Sequence, residues 1–210
     1  MGSRPVLSAE AARVLGALLE KERTVPDTYP MTLNALVNAC NQSSNRAPVV
    51  TYDSSLVQRT LDQMKDEGLA RFVYPSHGER TTKFRQVLDE RLSLSREEAA
   101  LVCVLLLRGP QTVSELRTRS ERLATFDSVS EVASTLDRLA GREEPLVQRL
   151  PRRAGEREER WMQTLTGDEL PDFEPAPAHA RPAASGLEAR VAELETRVAA
   201  LESILHDLGS

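Results

Sequence analysis

The densest group of hydrogen-bonding side chains in this sequence lies between residues 41 and 52, where Asn, Gln, Ser and Arg follow one another closely. Such a loop offers both donors and acceptors, and loops concentrate binding function. Arg, Asn and Gln side chains also read base edges in the major groove of DNA. The candidate recognition residues are Asn41, Gln42, Asn45 and Arg46. The equally weighted alternative is that these side chains satisfy backbone groups and fix a long turn.

A second group of candidate contact residues follows the loop, on a predicted helix and a predicted hairpin. Gln58 and Arg59 take outward positions of the helix, and Arg80, Lys83 and Arg85 lie on the hairpin. In a nucleic-acid complex these cations would contact phosphate, and the two helix residues would reach the bases. The helix segment itself has a net charge of −2, which opposes phosphate binding. The alternative for each of these clusters is a charged face in contact with water.

The sequence contains no pattern typical of catalysis or metal binding. His77, His179 and His206 lack metal-ligand spacing, and no Cys-x-x-Cys pair accompanies them. A Gly-rich phosphate loop, Gly-x-Ser-x-Gly and His-Glu-x-x-His are all missing from the sequence. Cys40 and Cys103 fall inside apolar helical patterns, where buried reduced thiols are expected. We therefore expect a non-enzymatic protein with no catalytic residues, cofactor or metal site.

The elements that would position the candidate residues occur twice along the chain. Two of the second set of helices begin with capping boxes, Ser95 with Glu98 and Thr112 with Glu115. The matching starts are Ser8 and Ser95 for the first helix and Thr32 and Thr112 for the second, and residues 57–62 match residues 132–137 in the third. Apolar residues recur at helical spacing within each of these segments.

Two strand-like runs separated by a polar turn follow each third helix. These runs are residues 69–74 and 83–86 in the first copy and residues 146–150 and 160–163 in the second. Three helices followed by a β-hairpin is the order of a winged helix. The predicted fold is therefore mainly α with small β-hairpins, an α+β fold of two tandem winged-helix (helix-turn-helix) domains. The predicted domains are residues 1–92, called module one below, and residues 93–166, called module two.

The remainder of the chain is predicted to be a Pro/Ala-rich linker over residues 167–185 and a coiled-coil helix over residues 186–210. The apolar heptad positions, expected to form the dimer contact, are Leu187, Val191, Leu194, Val198, Leu201, Leu205 and Leu208. Val at two a positions with Leu at d favours a parallel pair, so we expect a homodimer whose solution mass halves when residues 186–210 are deleted. The alternative is a single amphipathic helix docked on the rest of the chain.

Charge and hydropathy limit the classes of partner. The chain has a net charge of −5, of which module one contributes +1, module two 0 and residues 167–210 −6. A nucleic-acid-binding domain usually has a basic excess, so this balance weakens the case for DNA. The longest apolar run, residues 99–107, is far shorter than the roughly 20 residues of a membrane span. We expect a cytoplasmic protein with no membrane partner.

Several segments of the chain resemble the bacterial YceH-like proteins. The residues that carry the resemblance are 39–42 with Asn45, Arg46, Pro48 and Val49, 18–21 with Tyr29 and Pro30, 105–109 with Gln111, Thr112 and 115–117, and Phe126. The resemblance also covers residues 131–136 and the terminal heptads, and so spans nearly the whole chain. It implies two winged-helix domains in a bacterial cytosol, and it brings no established activity and no ligand residues.

The sequence as a whole favours a protein that binds double-stranded DNA and has a role in transcription regulation. The alternative is a scaffold that uses winged helices to dock an unidentified protein partner. Alanine at the four cations of the proposed patch is expected to weaken a DNA complex and to leave folding intact; these are Arg46, Arg59, Lys83 and Arg85.

Overall fold

The structure, a computed structural model, describes residues 4–75, 81–152 and 158–167. Arg80 lies outside these ranges, as do all seven predicted heptad positions between residues 187 and 208 and almost all of the predicted linker. The described residues belong to one compact unit.

The described elements are mostly helices, joined by two small antiparallel sheets. Module one contains α1 (Ala9–Thr24), a 3₁₀ helix (Pro26–Thr28), β1 (Met31–Thr32), α2 (Leu33–Cys40), α3 (Ser54–Asp66), β2 (Ala70–Val73), β3 (Lys83–Gln86) and α4 (Leu88–Leu92). Module two contains α5 (Arg96–Arg108), α6 (Val113–Ser120), α7 (Val129–Ala140), β4 (Val147–Leu150) and β5 (Arg160–Gln163). The coarse prediction of a mixed α+β fold is confirmed.

Each long helix begins where a short polar side chain accepts a hydrogen bond from a backbone N–H three residues later. The capping residues are Ser8, Thr32, Asp53, Ser95, Thr112 and Ser128. Both predicted capping boxes are present, because the Glu98 and Glu115 carboxylates also bond the backbone N–H of their cap residues. These caps fix where the helices start and therefore which residues face the core.

The strands pair in the same way in both modules. In module one the sheet order is β1-β3-β2, and Met31 lies opposite Phe84. In module two β4 pairs with β5, and Gln111 forms a single bridge to Trp161 at the position that corresponds to Met31 and Phe84. The third helix of each module lies beside the hairpin that follows it.

A buried glutamine ends the last strand of each module in the same way. The Gln86 Oε1 atom accepts the backbone N–H of Leu88 at 2.7 Å, and the Gln163 Oε1 atom accepts that of Leu165 at 2.6 Å. Both side chains are almost fully buried. The repeat seen in the sequence thus extends to individual hydrogen bonds.

The first helices of the two modules, α1 and α5, pack against each other at the centre of the unit. Residues 11–19 and 99–107 are buried without interruption, as expected of helices surrounded by protein. Gly16 lies at the contact, where a Cβ atom would be 2.8 Å from the Leu107 Cδ2 atom. The Cys103 Sγ atom donates to the Gly16 carbonyl at 3.4 Å. Glycine therefore allows the two helix backbones to approach closely.

The segment before α1 lies against module two. The Leu7 backbone N–H donates to the Leu165 carbonyl at 2.6 Å, just beyond β5. The Arg4 backbone N–H bonds the Glu144 carboxylate, and its guanidinium donates to the Pro145 carbonyl at 3.3 Å.

Among the described residues, no helix is both long enough and apolar enough to span a membrane.

Candidate nucleic-acid interface

Asn41 closes the long loop between α2 and α3 rather than pointing away from it. Its side-chain amide donates to the Tyr52 carbonyl, and its Oδ1 atom accepts the Tyr52 N–H, both at 2.8 Å. Within the loop, the Ala47 N–H donates to the Leu107 carbonyl at 2.9 Å. The loop is therefore closed at its ends and attached to α5 of module two.

Arg46 is the buried anchor of this loop. Its side chain has no exposed surface, and its Nε and Nη2 atoms donate to the Ala39 carbonyl at 3.1 and 2.9 Å. Its two terminal nitrogens bond the two Glu20 carboxylate oxygens at 3.1 and 2.8 Å. Nη2 also donates to Gln42 Oε1, and Nη1 to the Asn45 carbonyl. No donor of this guanidinium is left for a ligand, so Arg46 anchors the loop and is not available to contact DNA.

The same contact sets the ionisation state of the Glu20 carboxylate. Burial alone would raise its pKa, but the hydrogen bonds and charge of Arg46, together with Lys21, lower it below the usual value. Lys21 lies 3.2 Å from this carboxylate and also donates to Gln42 Oε1 at 3.3 Å. Glu20 is therefore ionised inside the fold, and Gln42 is held in its network.

Arg13 supports the loop from α1 and was not identified from the sequence. It is buried, and its guanidinium donates to the Cys40 carbonyl at 3.2 Å and to the Pro48 carbonyl at 2.6 Å. Burial and the neighbouring Arg46 charge lower its pKa. Its position in the uninterrupted buried segment of α1 was the only available signal, since an arginine there requires internal acceptors.

Two of the four candidate residues in the loop thus fix its conformation. Asn41 and Arg46 bond backbone groups, and the Gln42 Oε1 atom accepts hydrogen bonds from Lys21 and Arg46. Asn45 is exposed with a left-handed φ of 61°, and its Oδ1 atom accepts a hydrogen bond from Arg108. The expectation that alanine at Arg46 leaves folding intact does not fit this geometry, because Glu20 and Ala39 would lose their buried partner.

The α3 candidates lie on an exposed surface. Arg59 is exposed, and its one described bond joins Nη1 to the Ser55 hydroxyl at 2.5 Å. Gln58 is half-buried and donates to the Asp62 carboxylate at 3.1 Å. The helix therefore presents one exposed arginine among polar and acidic neighbours.

The two described hairpin candidates, Lys83 and Arg85, are half-buried on β3. Arg85 pairs with the Glu90 carboxylate at 2.8 Å, and Arg71 of β2 approaches the same carboxylate at 3.6 Å. The structure therefore brings the four loop candidates together, and it places Arg59 and the hairpin cations on separate elements. The charge of Arg85 is partly neutralised.

Module two has a surface groove that the sequence did not single out. It has a volume of about 740 Å³ and lies between the starts of α6 and α7 and the β4–β5 hairpin. Its lining includes Val113, Val129 and Ala133, with Trp161 as the aromatic member and Arg149 stacked over that ring at 4.9 Å. Arg149 and Arg152 line this groove together with two carboxylates, Glu158 and Glu159, and Arg149 pairs with Glu159 at 3.2 Å. Its charges are balanced and its apolar part is accessible, since Val129 is 43% exposed.

No group of three or more His, Cys, Asp or Glu residues that could hold a metal occurs in the described parts of the chain. The geometry offers exposed helix and hairpin surfaces together with shallow grooves.

The fold and its surfaces define an α+β protein of two similar modules packed through their first helices. A family model described as "Protein of unknown function, DUF480" matches residues 7–156. The chain belongs to this family.

Similar proteins come from several bacteria. A "UPF0502 protein" of Solibacter usitatus is 51% identical over 90% of this chain and 92% of that protein. Relatives from Koribacter versatilis and Mesorhizobium japonicum are 46% and 43% identical, over 90% and 98% of this chain and 87% and 97% of theirs. Membership of a bacterial family is thus confirmed, as the resemblance to the YceH-like proteins indicated.

Proposed function

We propose that the protein is a non-enzymatic tandem winged-helix protein that binds double-stranded DNA and acts in transcription regulation. The element order supports this interpretation, since each module has three main helices followed by an antiparallel hairpin. In such a fold the third helix enters the major groove and the hairpin contacts the backbone. For module one these are α3 and the β2–β3 hairpin.

The observation that carries the proposal is the exposure of Arg59 together with its hydrogen bonding. This side chain is exposed on α3, and Ser55 occupies one of the five N–H donors of its guanidinium. The remaining donors suit a bidentate contact to guanine, which is the most common specific contact of arginine. Lys83 and Arg85 follow on the hairpin, where they would contact phosphate.

The acidic residues of α3 limit the strength of such a complex. Asp62 and Asp66 are exposed on the same helix, and Glu90 neutralises Arg85. If about three phosphates are neutralised, the affinity should fall roughly 40-fold between about 50 and 200 mM salt. The complex would therefore be detected most easily at low salt.

The test is a titration of fluorescently labelled duplex DNA with the full chain at those two salt concentrations. Arg59→Ala should weaken binding about fivefold or more, since a good bidentate contact is worth about 1–3 kcal/mol. Arg96→Ala, which changes an exposed arginine on α5, is the matched control and should bind as the wild type does. Absence of binding at low salt, or equal losses in both variants, would remove DNA as the ligand.

A protein partner is the second candidate, and the groove of module two favours it. An apolar surface that contains the exposed Val129, flanked by equal numbers of arginines and glutamates, suits a polypeptide of mixed charge better than a phosphate backbone. Val129→Glu should abolish capture of such a partner from a bacterial extract. Val49→Glu, which alters a valine that is 58% exposed in the module one loop, should not. Equal capture by both variants would exclude this groove.

A further inference from the structure

The structure contains a partly open cavity at the junction of the two modules. Its volume is about 260 Å³, and it lies between the ends of α1, α5 and α6 beside the 41–52 loop. The residues that distinguish it are the apolar Val104, Leu107 and Leu123 and the cationic Arg108, Arg119 and Arg122. An apolar wall with a few converging polar groups is typical of a small-molecule site.

The carboxylate that lines the deep side of the cavity is already paired. Glu20 accepts two hydrogen bonds from Arg46 and lies 3.2 Å from Lys21. These two cations outnumber the single carboxylate, so Glu20 offsets the charge of Arg108 across the cavity only in part. The other lining carboxylate, Glu121, is exposed at the rim.

The nearest further carboxylate is also shared. Glu115 lies 3.4 Å from Arg119 and 2.8 Å from Arg160, so it meets two cations. Among the charged residues that line the cavity, two carboxylates face three arginines: Glu20 and Glu121 against Arg108, Arg119 and Arg122. Because Glu20 is paired with Arg46 and Arg119 with Glu115, the charges of Arg108 and Arg122 are the least compensated.

Two of the lining arginines make no direct ion pair with a carboxylate among the described residues. Arg108 is half-buried, and the acceptor that it meets is the neutral Oδ1 atom of Asn45. Burial, followed by the charges of Arg119 and Arg46, lowers the pKa of Arg108, and the charges of Glu20 and Glu115 offset this only in part. Arg122 is exposed at the cavity and makes no hydrogen bond or ion pair within the described chain. A bound anion would relieve this repulsion.

We propose that this cavity binds a small phosphate monoester whose phosphate is held by Arg108 and Arg122 and whose apolar group rests on Val104 and Leu107. Two arginines that make no ion pair match the charge of a dianion better than that of a single carboxylate, and arginine binds phosphate through two parallel hydrogen bonds. The volume suits a ligand of modest size. Because the site joins the module one loop to the end of α6, the ligand would contact both modules. The site is independent of the proposed DNA surface.

The test measures the melting temperature of the full chain with phenyl phosphate, with inorganic phosphate and with sodium chloride at equal ionic strength. At about ten times the Kd, phenyl phosphate should raise Tm by about 3–6 °C over the chloride control. Inorganic phosphate should give a smaller shift, because it leaves the apolar wall uncovered. No shift beyond chloride would overturn the proposal, and equal shifts for the two phosphates would overturn the apolar contact.

Variants locate the effect. Arg108→Gln and Arg122→Gln should each lose most of the phenyl phosphate shift, measured against the same variant in chloride. Arg117→Gln changes an exposed arginine of α6 that does not line the cavity, and it should keep the full shift. Should Arg108→Gln fail to fold, the exposed Arg122 still allows the comparison. A shift retained in Arg122→Gln, or lost equally in Arg117→Gln, would contradict the assignment.

Discussion

Replacing Arg46 by Met should destabilise the protein strongly, although the residue lies in a loop. Met fills much of the same volume but cannot donate to Ala39, Glu20 or Gln42. The variant leaves a buried carboxylate without its main partner, and the loop loses the anchor that joins it to α1. The affected property is the free energy of unfolding.

The magnitude follows from the exposure of the pair. Removing one partner of a buried ion pair costs about 3–5 kcal/mol. The Glu20 side chain is 14% exposed and keeps Lys21 at 3.2 Å, so the lower end of that range applies. A loss of about 3 kcal/mol corresponds to a fall in Tm of about 6–12 °C for a chain of this size.

A double-mutant cycle separates the ion pair from general loop damage. Glu20→Leu alone should also be costly, because it leaves the Arg46 charge buried. The double variant should be less destabilised than the sum of the two single variants, by about 1–3 kcal/mol. Arg59→Met is the matched control, since this arginine is exposed, and it should stay within about 0.5 kcal/mol of the wild type.

The pH dependence gives an independent check. The folded-state pKa of Glu20 is lowered in the wild type, so its contribution is present above the unfolded-state pKa and is lost as pH falls through the folded-state value. In Arg46→Met the burial of Glu20 is no longer offset by its main partner. Protonation of the Glu20 carboxylate therefore reduces the destabilisation of the variant. The difference between wild type and variant should therefore shrink from pH 7 towards pH 4.

Urea unfolding followed by circular dichroism and by the fluorescence of Trp161, the only tryptophan, measures all of these quantities. A midpoint for Arg46→Met equal to that of Arg59→Met would refute the anchoring role. An additive double variant would refute the pairing, and a pH-independent difference would refute the role assigned to Glu20.

Three further predictions concern the core and the thiols. Gly16→Val should lower stability by about 1–3 kcal/mol, because its Cβ would clash with Leu107; an unchanged urea midpoint would contradict the close helix contact. Trp161→Ala should cost about 3–5 kcal/mol in urea unfolding, because the ring is buried, and a loss below about 1 kcal/mol would contradict its place in the core. Cys40 and Cys103 should resist a thiol reagent at pH 8 until urea unfolds the chain, because burial raises the pKa of Cys40 to about 12 and that of Cys103 further still. Rapid labelling of the native protein would oppose that expectation.

Local chemistry made the element order predictable from the sequence. Ser95 with Glu98 and Thr112 with Glu115 cap helix starts by contacts three residues apart, so neighbouring residues suffice to identify them. The hairpins followed from apolar runs that end at turn residues, and β4 begins within the predicted segment. The short elements α4 and β1 lack such signals, and the sequence did not reveal them.

Contacts between distant segments could not be predicted in the same way. Arg46 looks like a surface residue because its neighbours are polar, while its partner Glu20 lies 26 positions earlier, on another element. The groove of module two combines side chains from α6, α7 and a hairpin, and its shape depends on how those elements pack. For the same reason, the charge count of each module did not reveal the cationic cavity.

The contact between Gly16 and Cys103 has a consequence for the relation between the two modules. The first helices begin at Ser8 and Ser95, so positions 16 and 103 correspond, each lying eight residues after its cap. Corresponding positions also meet at the axis of an isologous dimer, where the same surface of each subunit faces the other. The contact between α1 and α5 therefore resembles one between two subunits, joined here in a single polypeptide. In a true homodimer one residue would meet its own copy there, whereas fusion lets a glycine on one side accommodate a larger side chain on the other.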